Sequence, residues 1–243
     1  MRLLIIRHGE PDYSIDSLTE KGWREADLLS KRLVKMEIDE FYQSPLGRAQ
    51  HTALATLKLY GKDAITKDWL QEFPARIHRP DRKDKKMIPW DWLPADWTSE
   101  PRFFDREAWK QVECMQEAGV GEMYDRVCSS FDELLAEHGY TRAGNLYRAA
   151  EPNDKTIALF CHFGLECVLL SHLMNISPML LWHGMVASPS SVTSVYTEER
   201  REGFAYFRAN YIGDISHLYV ADEEPSFAAR FCEMYVKDEE RHD

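Results

Sequence analysis

Short apolar runs along the chain predict the strands of a sheet that is buried on both faces. Residues 3–6 form one continuous run and residues 156–160 form another, and a histidine follows each run within two positions. Unbroken runs of this kind are typical of parallel strands that helices cover on both sides. Further strands are predicted at residues 38–43, 64–66, 191–197 and 204–211.

Helical patterns alternate with these runs. After Thr19, a predicted helix cap, apolar residues recur at helical spacing at Trp23, Ala26, Leu29 and Leu33. Strands that alternate with helices predict an α/β fold, here a three-layer α/β/α sandwich around a mostly parallel sheet. Ligands bind beyond the carboxyl ends of such strands, so His8 and His162 are expected to meet at one sheet edge.

Residues 74–150 depart from this alternation. Their first part, residues 74–109, holds four of the seven tryptophans and five of the eleven prolines. Proline at this density forbids a regular helix up to about residue 101, and helices are then predicted at 103–118 and 121–138, with Gly139 as a stop. We therefore expect one domain over residues 1–243, in which residues 74–150 are a lid inserted over the active end of the sheet.

The composition limits the classes of function. With 30 Lys and Arg against 41 Asp and Glu, the formal charge of −11 disfavours a nucleic-acid-binding protein, because phosphate backbones demand clustered cations. No apolar run reaches the roughly 7–15 residues of a signal peptide or the roughly 20 of a membrane span. The five cysteines form no Cys-x-x-Cys pair, so no disulfide framework or cysteine zinc site is expected. These features predict a cytoplasmic protein that does not bind membranes.

Arg7-His8-Gly9-Glu10 follows the first predicted strand. A histidine at this position can be a nucleophile, a general base or a metal ligand, or it can simply end a strand. Two further blocks bear on these alternatives. Residues 44–53 read Ser-Pro-Leu-Gly-Arg-Ala-Gln-His-Thr-Ala, and residues 161–164 read Cys-His-Phe-Gly.

In these blocks, and in their order, the sequence resembles the histidine phosphatase (phosphoglycerate mutase-like) superfamily. The resemblance extends to Leu18-Thr19 with Gly22, to Glu72 after Trp69-Leu70-Gln71, and to a late block from Asn210 to His217-Leu218. It spans nearly the whole chain except residues 74–150. It implies phosphomonoester hydrolysis through a phosphohistidine, with no metal and no cofactor, on a small phosphorylated metabolite.

The resemblance also implies a role for each candidate site residue. His8 is expected to attack phosphorus, and the residues expected to bind the phosphoryl oxygens are Arg7, Arg48, His162 and Gly164. Arginines disfavour a neighbouring imidazolium, and their forked N–H groups match phosphoryl oxygens. Glu72 is the candidate donor of a proton to the leaving alkoxide, because a partly buried carboxyl can have its pKa raised. Its competitors are Glu10, Asp91 and Glu166.

Three other functions stay open. A cofactor-dependent phosphoglycerate mutase begins with the same phosphohistidine, although residues 11–18 lack the Asn and the Thr-Gly-Trp segment that those mutases carry there. A catalytically idle module that binds phosphorylated ligands would need no nucleophile. A metal-dependent hydrolase is disfavoured because histidines and carboxylates do not cluster at ligand spacing. The sequence predicts neither the particular substrate nor the oligomeric state.

Some residues carry two interpretations. Ser44 is expected to cap its helix rather than contact phosphate, and His217 is expected to brace the active-site strands. The basic stretch of residues 76–86 either faces solvent or attracts an anionic substrate. Three tryptophans of the lid are Trp90, Trp92 and Trp97. They either line a pocket for an apolar part of the substrate or pack the lid onto the domain. Three further histidines are expected to be structural, namely His51, His172 and His183.

Overall fold

The computed structural model describes residues 1–231, 233–237 and 239. Its strands are β1 (Arg2–Arg7), β2 (Pro11–Asp12), β3 (Ser17–Leu18), β4 (Glu40–Gln43), β5 (Ile65–Thr66), β6 (Ile77–Arg79), β7 (Arg82–Met87), β8 (Tyr140–Ala143), β9 (Leu146–Ala149), β10 (Thr156–Cys161), β11 (Val192–Arg201) and β12 (Phe204–Asp214). Within the described residues, eight of them form one sheet in the order β5-β4-β10-β1-β11-β12-β9-β8, while β2-β3 and β6-β7 are separate hairpins.

Helices cover both faces of this sheet. They are α1 (Glu20–Leu33), α2 (Gly47–Tyr60), α3 (Pro94–Thr98), α4 (Glu113–Glu117), α5 (Val120–Glu137), α6 (Phe163–Met174), α7 (Pro178–Gly184) and α8 (Ser216–Val220). Alternate side chains of a strand point to opposite faces. In β1, Leu3 and Ile5 pack in the cluster that holds α5 and α6, whereas Leu4 and Ile6 pack in the cluster that holds α1 and α2. The predicted α/β sandwich is therefore confirmed.

The parallel part of the sheet comprises β5, β4, β10 and β1, and the antiparallel strands β11, β12, β9 and β8 extend it beyond β1. β1 and β10 end at the same edge, since Arg7 pairs with Cys161 in the parallel register. The backbone N–H of His8 continues the pairing and donates to the carbonyl oxygen of Cys161 at 3.0 Å. His8 and His162 thus follow adjacent strand ends.

The predicted lid segment 74–150 divides into two parts in the fold. Its last part belongs to the main fold, because α5 packs against the sheet through Phe131 and β9 pairs with β12 through Tyr147 and Ala205. The strands β8 and β9 have only four residues each, which is too few to show a clear alternation of apolar residues. Residues 74–119, called the lid from here on, pack instead in a second apolar cluster with α6 and α7, which includes Trp109 and Trp182.

The helix predicted at residues 103–118 is wrong. Residues 101–104 and 108–111 form 3₁₀ turns, and only Glu113–Glu117 is α-helical. The carboxylate of Asp105 accepts hydrogen bonds from the backbone N–H groups of Glu107 and Ala108, both at 2.8 Å, and such local bonds compete with a helix. The helix predicted at 121–138 is α5, and Gly139 follows it with a φ of 92°. Across the described residues, we find no helix with the length and apolar character needed to cross a bilayer.

Candidate active site

The site is built around two histidines that follow neighbouring parallel strands. His8 follows β1 and His162 follows β10, and their ring centroids lie 5.0 Å apart. Only 1% of His8 and 0% of His162 is exposed. The two rings therefore share a protected position at the sheet edge where α/β folds bind their ligands.

The ring of His8 is held in one tautomer. Its Nδ1 lies 2.7 Å from the carbonyl oxygen of Gly9, which can only accept, so Nδ1 carries the proton and Nε2 keeps a free lone pair. Gly9 is itself fixed, because its backbone N–H donates to Oγ1 of Thr52 at 2.9 Å. Burial, together with the positive charges of Arg7 and Arg48, holds the pKa of His8 well below its usual range. At neutral pH the ring is therefore uncharged and nucleophilic at Nε2.

His162 is anchored through one ring nitrogen. Its Nε2 lies 2.8 Å from Oγ of Ser44, and its Nδ1 has no hydrogen-bond partner among the described residues. The expectation that Ser44 caps α2 is wrong, because α2 begins at Gly47 with Leu46 as its N-cap residue. Burial, and then the proximity of His8 and the two arginines, hold the pKa of His162 well below its usual range. The free Nδ1 of this neutral ring is available for a hydrogen bond to a ligand.

Arg7 brings a guanidinium into the same buried region. Its Nη1 donates to the carbonyl oxygen of Ala187 at 2.5 Å, and its guanidinium carbon lies 5.5 Å from the ring centroid of Phe163. Its Nε is buried and has no partner among the described residues. Burial lowers the pKa of Arg7, and the charge of Glu72 opposes that effect. An arginine remains charged in proteins, so it supplies an unneutralised cation next to His8.

Arg48 lies in the first turn of α2 and is oriented by a residue that was not predicted from the sequence. Its Nη1 donates to Oδ1 of Asp16 at 2.6 Å, and Oδ2 of Asp16 accepts from the backbone N–H of Gly47 at 2.7 Å. Asp16 thus caps α2 from another segment. The ring of Tyr13 lies 5.4 Å from the Arg48 guanidinium. Residues 13–16 form the loop between β2 and β3, where no periodic pattern could have located these contacts.

Glu72 reaches the site from the loop after the 3₁₀ turn Asp68–Leu70. Its Oε1 accepts from the backbone N–H of Phe73 at 2.9 Å and of Leu165 at 3.2 Å, which leaves Oε2 available to a ligand. Burial raises the pKa of Glu72, and the charges of Arg7 and Arg48 only partly oppose it. A buried carboxyl with a raised pKa is better suited than an exposed one to act as a general acid.

Two of the competing carboxylates are engaged elsewhere. Oε1 of Glu10 accepts from the hydroxyl of Thr19 at 2.8 Å, in the turn that begins α1. Oδ1 of Asp91 lies 3.2 Å from Nη1 of Arg79 in an ion pair within the lid. Neither carboxylate forms a described hydrogen bond to the two site histidines.

Glu166, the third competitor, is buried behind the site on α6. Its Oε1 accepts from the hydroxyl of Thr193 at 2.5 Å, and its Oε2 has no partner among the described residues. Burial raises the pKa of Glu166 to about 7. The negative charge of Glu166 also raises the pKa of Arg7, so Glu166 helps to keep that guanidinium protonated.

Gly164 has a packing role that was not predicted. A Cβ at this position would overlap the indole of Trp90, which lies directly against the glycine. The carbonyl oxygen of Gly164 also accepts from Nε1 of Trp182 at 3.0 Å. The lid residue Trp90 thus occupies the space that a side chain at position 164 would need. A contact with phosphate through the backbone of this glycine remains a prediction.

Four other histidines considered in the sequence analysis form local contacts. Nε2 of His217 lies 3.0 Å from Oγ of Ser190, whose backbone N–H donates to the carbonyl oxygen of His8 at 2.9 Å, so His217 braces the His8 strand end as expected. The other three have these partners: Oγ of Ser17 for His51, Oδ2 of Asp132 for His172, and the carbonyl oxygen of Met179 for His183, each at 2.9 Å.

No metal-binding cluster is found within residues 1–231, 233–237 and 239: no three or more His, Cys, Asp or Glu side chains come together there in a metal-binding arrangement. The cysteines in this part of the chain are free thiols, namely Cys114, Cys128, Cys161 and Cys167. Cys232 lies outside the described residues.

Comparison with known families identifies the class to which this fold and site belong. The profile of the histidine phosphatase superfamily (branch 1) matches residues 3–209. The chain belongs to this superfamily.

Individual relatives include both phosphatases and a mutase. The chain is 24% identical over 229 residues to phosphoserine phosphatase 1 of Hydrogenobacter thermophilus, covering 90% of this chain and 97% of that protein. It is 35% identical over 118 residues to a 2,3-bisphosphoglycerate-dependent phosphoglycerate mutase of Thermoplasma acidophilum, covering 37% of this chain and only 59% of the mutase.

A solved structure shares the fold. A phosphoserine phosphatase mutant from Entamoeba histolytica, in complex with phosphoserine, superimposes with a TM-score of 0.57 at 15% identity. The match covers 89% of this chain and 98% of that one. At this identity the similarity concerns the fold alone.

Proposed function

We propose that the protein is a phosphomonoester hydrolase that acts through a covalent phosphohistidine on His8 and uses no metal. The observation that carries the proposal is the state of His8: neutral, tethered through Nδ1 to Gly9, and flanked by the cationic Arg7. A phosphate-binding module without catalysis would need the cation but not a histidine with a free lone pair.

In the first step, Nε2 of His8 forms a bond to phosphorus as the bond between phosphorus and the ester oxygen breaks. Negative charge on the three equatorial oxygens is balanced by the guanidinium groups of Arg7 and Arg48. With Ser44 donating to Nε2 of His162, the neutral ring carries its proton on Nδ1, which donates to a phosphoryl oxygen. The two arginines thus supply the positive charge that a divalent ion supplies in other phosphatases.

Glu72 completes the proton balance. Its Oε2 gives a proton to the departing alkoxide, and the resulting carboxylate is held at Oε1 by the N–H groups of Phe73 and Leu165. In the second step the carboxylate takes a proton from water as the water oxygen attacks the phosphohistidine. Inorganic phosphate leaves, and His8 and Glu72 return to their starting states.

One buried arginine of the lid argues against the carboxylate contact that mutase chemistry needs. A mutase must hold a sugar acid through its carboxylate, and the basic stretch 76–86 was the candidate for that contact. Only 3% of Arg79 is exposed, and ion pairs with Asp81 at 2.7 Å and Asp91 at 3.2 Å neutralise it. The lid group that lies against Gly164, next to His162, is the indole of Trp90.

The test offers purified protein 3-phosphoglycerate with a trace of 2,3-bisphosphoglycerate, alongside a panel of phosphate monoesters. Hydrolase chemistry predicts release of inorganic phosphate from monoesters with little 2-phosphoglycerate formed. Fast isomerisation with little phosphate release would support the mutase instead. The same assay after exhaustive chelation should keep its rate within about twofold. A rate that collapses and returns with a divalent ion would support the metal-dependent alternative.

A further inference from the structure

A cavity of about 530 Å³ lies between the lid and the helices α6 and α7. Its volume is within the range of sites for small organic molecules, roughly 300–1,000 Å³. Lid residues contribute much of its lining, and α6, α7 and the residues that follow α7 contribute Phe163, Trp182, His183, Met185 and Val186. Phe231 and Tyr235, from the chain after α8, also contribute to its lining.

The cavity borders the phosphate site. Phe163 lines the cavity, directly follows His162 in the chain and carries the Arg7 guanidinium 5.5 Å from its ring centroid. Trp90 lines the cavity and lies against Gly164. Phe163 and Trp90 are thus the residues through which the cavity adjoins the phosphate site, whose own side chains do not line it.

The walls of the cavity are mainly flat and aromatic. The rings of Trp97 and His183 stack at 5.1 Å with an interplanar angle of 24°, and the rings of Trp90 and Trp182 lie 5.8 Å apart. The cavity lining includes all four of these rings. Aromatic rings favour other flat rings through offset or edge contacts, beyond the apolar area that they bury.

Charge at the cavity is largely balanced where it is buried. Arg79, which contributes to the lining, is paired with Asp81 and Asp91, so it offers little to a second anionic group. Arg82 and Lys85 also contribute to the lining. Arg82 is 3.4 Å from Asp84, on the exposed β6-β7 hairpin. The buried cation of the lining, Arg79, is thus neutralised, whereas Lys85 is exposed. The buried part of the lining therefore favours an apolar group over a carboxylate.

We propose that this cavity binds the alcohol part of the substrate and selects phosphate esters whose alcohol carries a flat aromatic group. The proposal rests on the proposed phosphatase function, since it assigns the leaving group of that reaction. An ester with a small polar alcohol would leave the aromatic walls unfilled. Both interpretations of the lid tryptophans then hold, because Trp90 packs the lid onto the domain and also lines the pocket.

The experiment compares 2-naphthylmethyl phosphate with ethyl phosphate. Both are esters of primary alcohols, so the ratio of their kcat/KM values reports binding of the naphthyl group rather than a large difference in leaving-group chemistry. We expect a ratio of at least about ten in favour of the naphthyl ester, since each well-placed apolar group contributes a factor of this order. A ratio near one, with ethyl phosphate hydrolysed, would overturn the cavity assignment and leave the phosphatase function intact.

Two tryptophan variants refine this test. Trp97→Ala removes a ring from the wall, and we expect the ratio to fall at least about fivefold. Trp23→Ala is the matched control, because Trp23 is 40% exposed, has its ring 5.2 Å from the ring of His51 and lies outside the cavity lining. Its ratio should equal that of the unaltered protein. Each ratio is measured within one variant, so a loss of folded protein cancels. An unchanged ratio in Trp97→Ala would contradict the proposal.

A binding measurement separates this proposal from the failure of the phosphatase function. Calorimetric titration of the unaltered protein with 2-naphthylmethylphosphonate and with ethylphosphonate requires no turnover. We expect at least about tenfold tighter binding of the naphthyl compound, reduced in Trp97→Ala and retained in Trp23→Ala. Equal affinities would overturn the cavity assignment. Preferential binding without hydrolysis of any ester would instead overturn the phosphatase function.

Discussion

The sheet edge and the lid differ in how each holds its functional groups. At the sheet edge, His8 and His162 are fixed by strand ends, by side chains such as Ser44, and by the electrostatic effect of buried arginines. In the lid, Trp90 and Trp97 are held by contacts between rings and by a glycine that leaves room for an indole. The first arrangement fixes protons and charge, whereas the second shapes apolar space.

This difference assigns chemistry and selectivity to separate parts of the chain. Proton positions and pKa values at the sheet edge suit one reaction, transfer of a phosphoryl group to His8. The lid leaves those groups in place and presents an aromatic surface to the rest of the substrate. Changes at the edge should therefore remove turnover, and changes in the lid should alter stability or substrate preference.

The largest effect is expected from His8→Ala. Loss of the nucleophile should reduce phosphate release at least about 10⁴-fold, because single replacements of nucleophiles in comparable sites do so. His78→Ala is the control, since His78 is exposed on β6 in the lid. It should retain activity. Phosphate release is measured along with far-ultraviolet circular dichroism, which should match the unaltered protein in both variants. A His8→Ala protein with full activity would contradict the mechanism.

Glu72→Gln should have a smaller and selective effect. An amide cannot give a proton to an alkoxide, so hydrolysis of alkyl phosphates should fall about 10²–10⁴-fold. Hydrolysis of 4-nitrophenyl phosphate should fall much less, because nitrophenolate needs little protonation. The raised pKa of Glu72 also predicts that the rate on alkyl esters declines as pH rises through that pKa, where the acid loses its proton.

Glu10→Gln is the matched control for this prediction, because its carboxylate accepts from Thr19 rather than from groups at the site. It should leave the selectivity between the two kinds of ester unchanged. Equal losses on both substrates in Glu72→Gln would exclude Glu72 as the proton donor. A selective loss in Glu10→Gln would transfer the role to that residue.

Gly164→Ala should affect stability where the two regions meet. The added methyl group overlaps the Trp90 indole, and overpacking of this kind costs about 1–3 kcal/mol in the free energy of unfolding. In a Trp90→Leu background the overlap is relieved, so the cost of Gly164→Ala should shrink by at least about 0.5 kcal/mol. Urea unfolding of the four proteins measures this coupling. Additive costs would show that the lid does not pack on Gly164 as described.

Much of the sheet edge could be predicted from the sequence, because the patterns that define it are local. An apolar run that ends in Arg7-His8 and a second that ends before His162 specify two parallel strand ends, and topology brings them together. The side chains that orient the site residues could be found only from the tertiary structure. Asp16 caps α2 from an irregular loop, and the Ser44 hydroxyl forms a hydrogen bond with His162 instead of the predicted helix cap.

The lid was harder to predict for physical reasons. Its elements are short, and side chains such as Asp105 redirect the backbone through local hydrogen bonds that no apolar period reveals. The sequence gives little basis for a lid boundary near residue 150, because β8 and β9 have only four residues each and carry little apolar pattern. The tryptophans were recognised as pocket or packing residues, and their contacts with Gly164 and His183 required the fold.

The central claim, covalent catalysis by His8, is tested most directly by trapping the intermediate. The protein is mixed with an alkyl phosphate labelled with ³²P, quenched in alkali within milliseconds, and digested for peptide mapping. The account predicts a label that is stable in base, labile in acid and confined to the peptide that contains His8, with none in His8→Ala. Turnover without any protein-bound label, or a label on another residue, would contradict it.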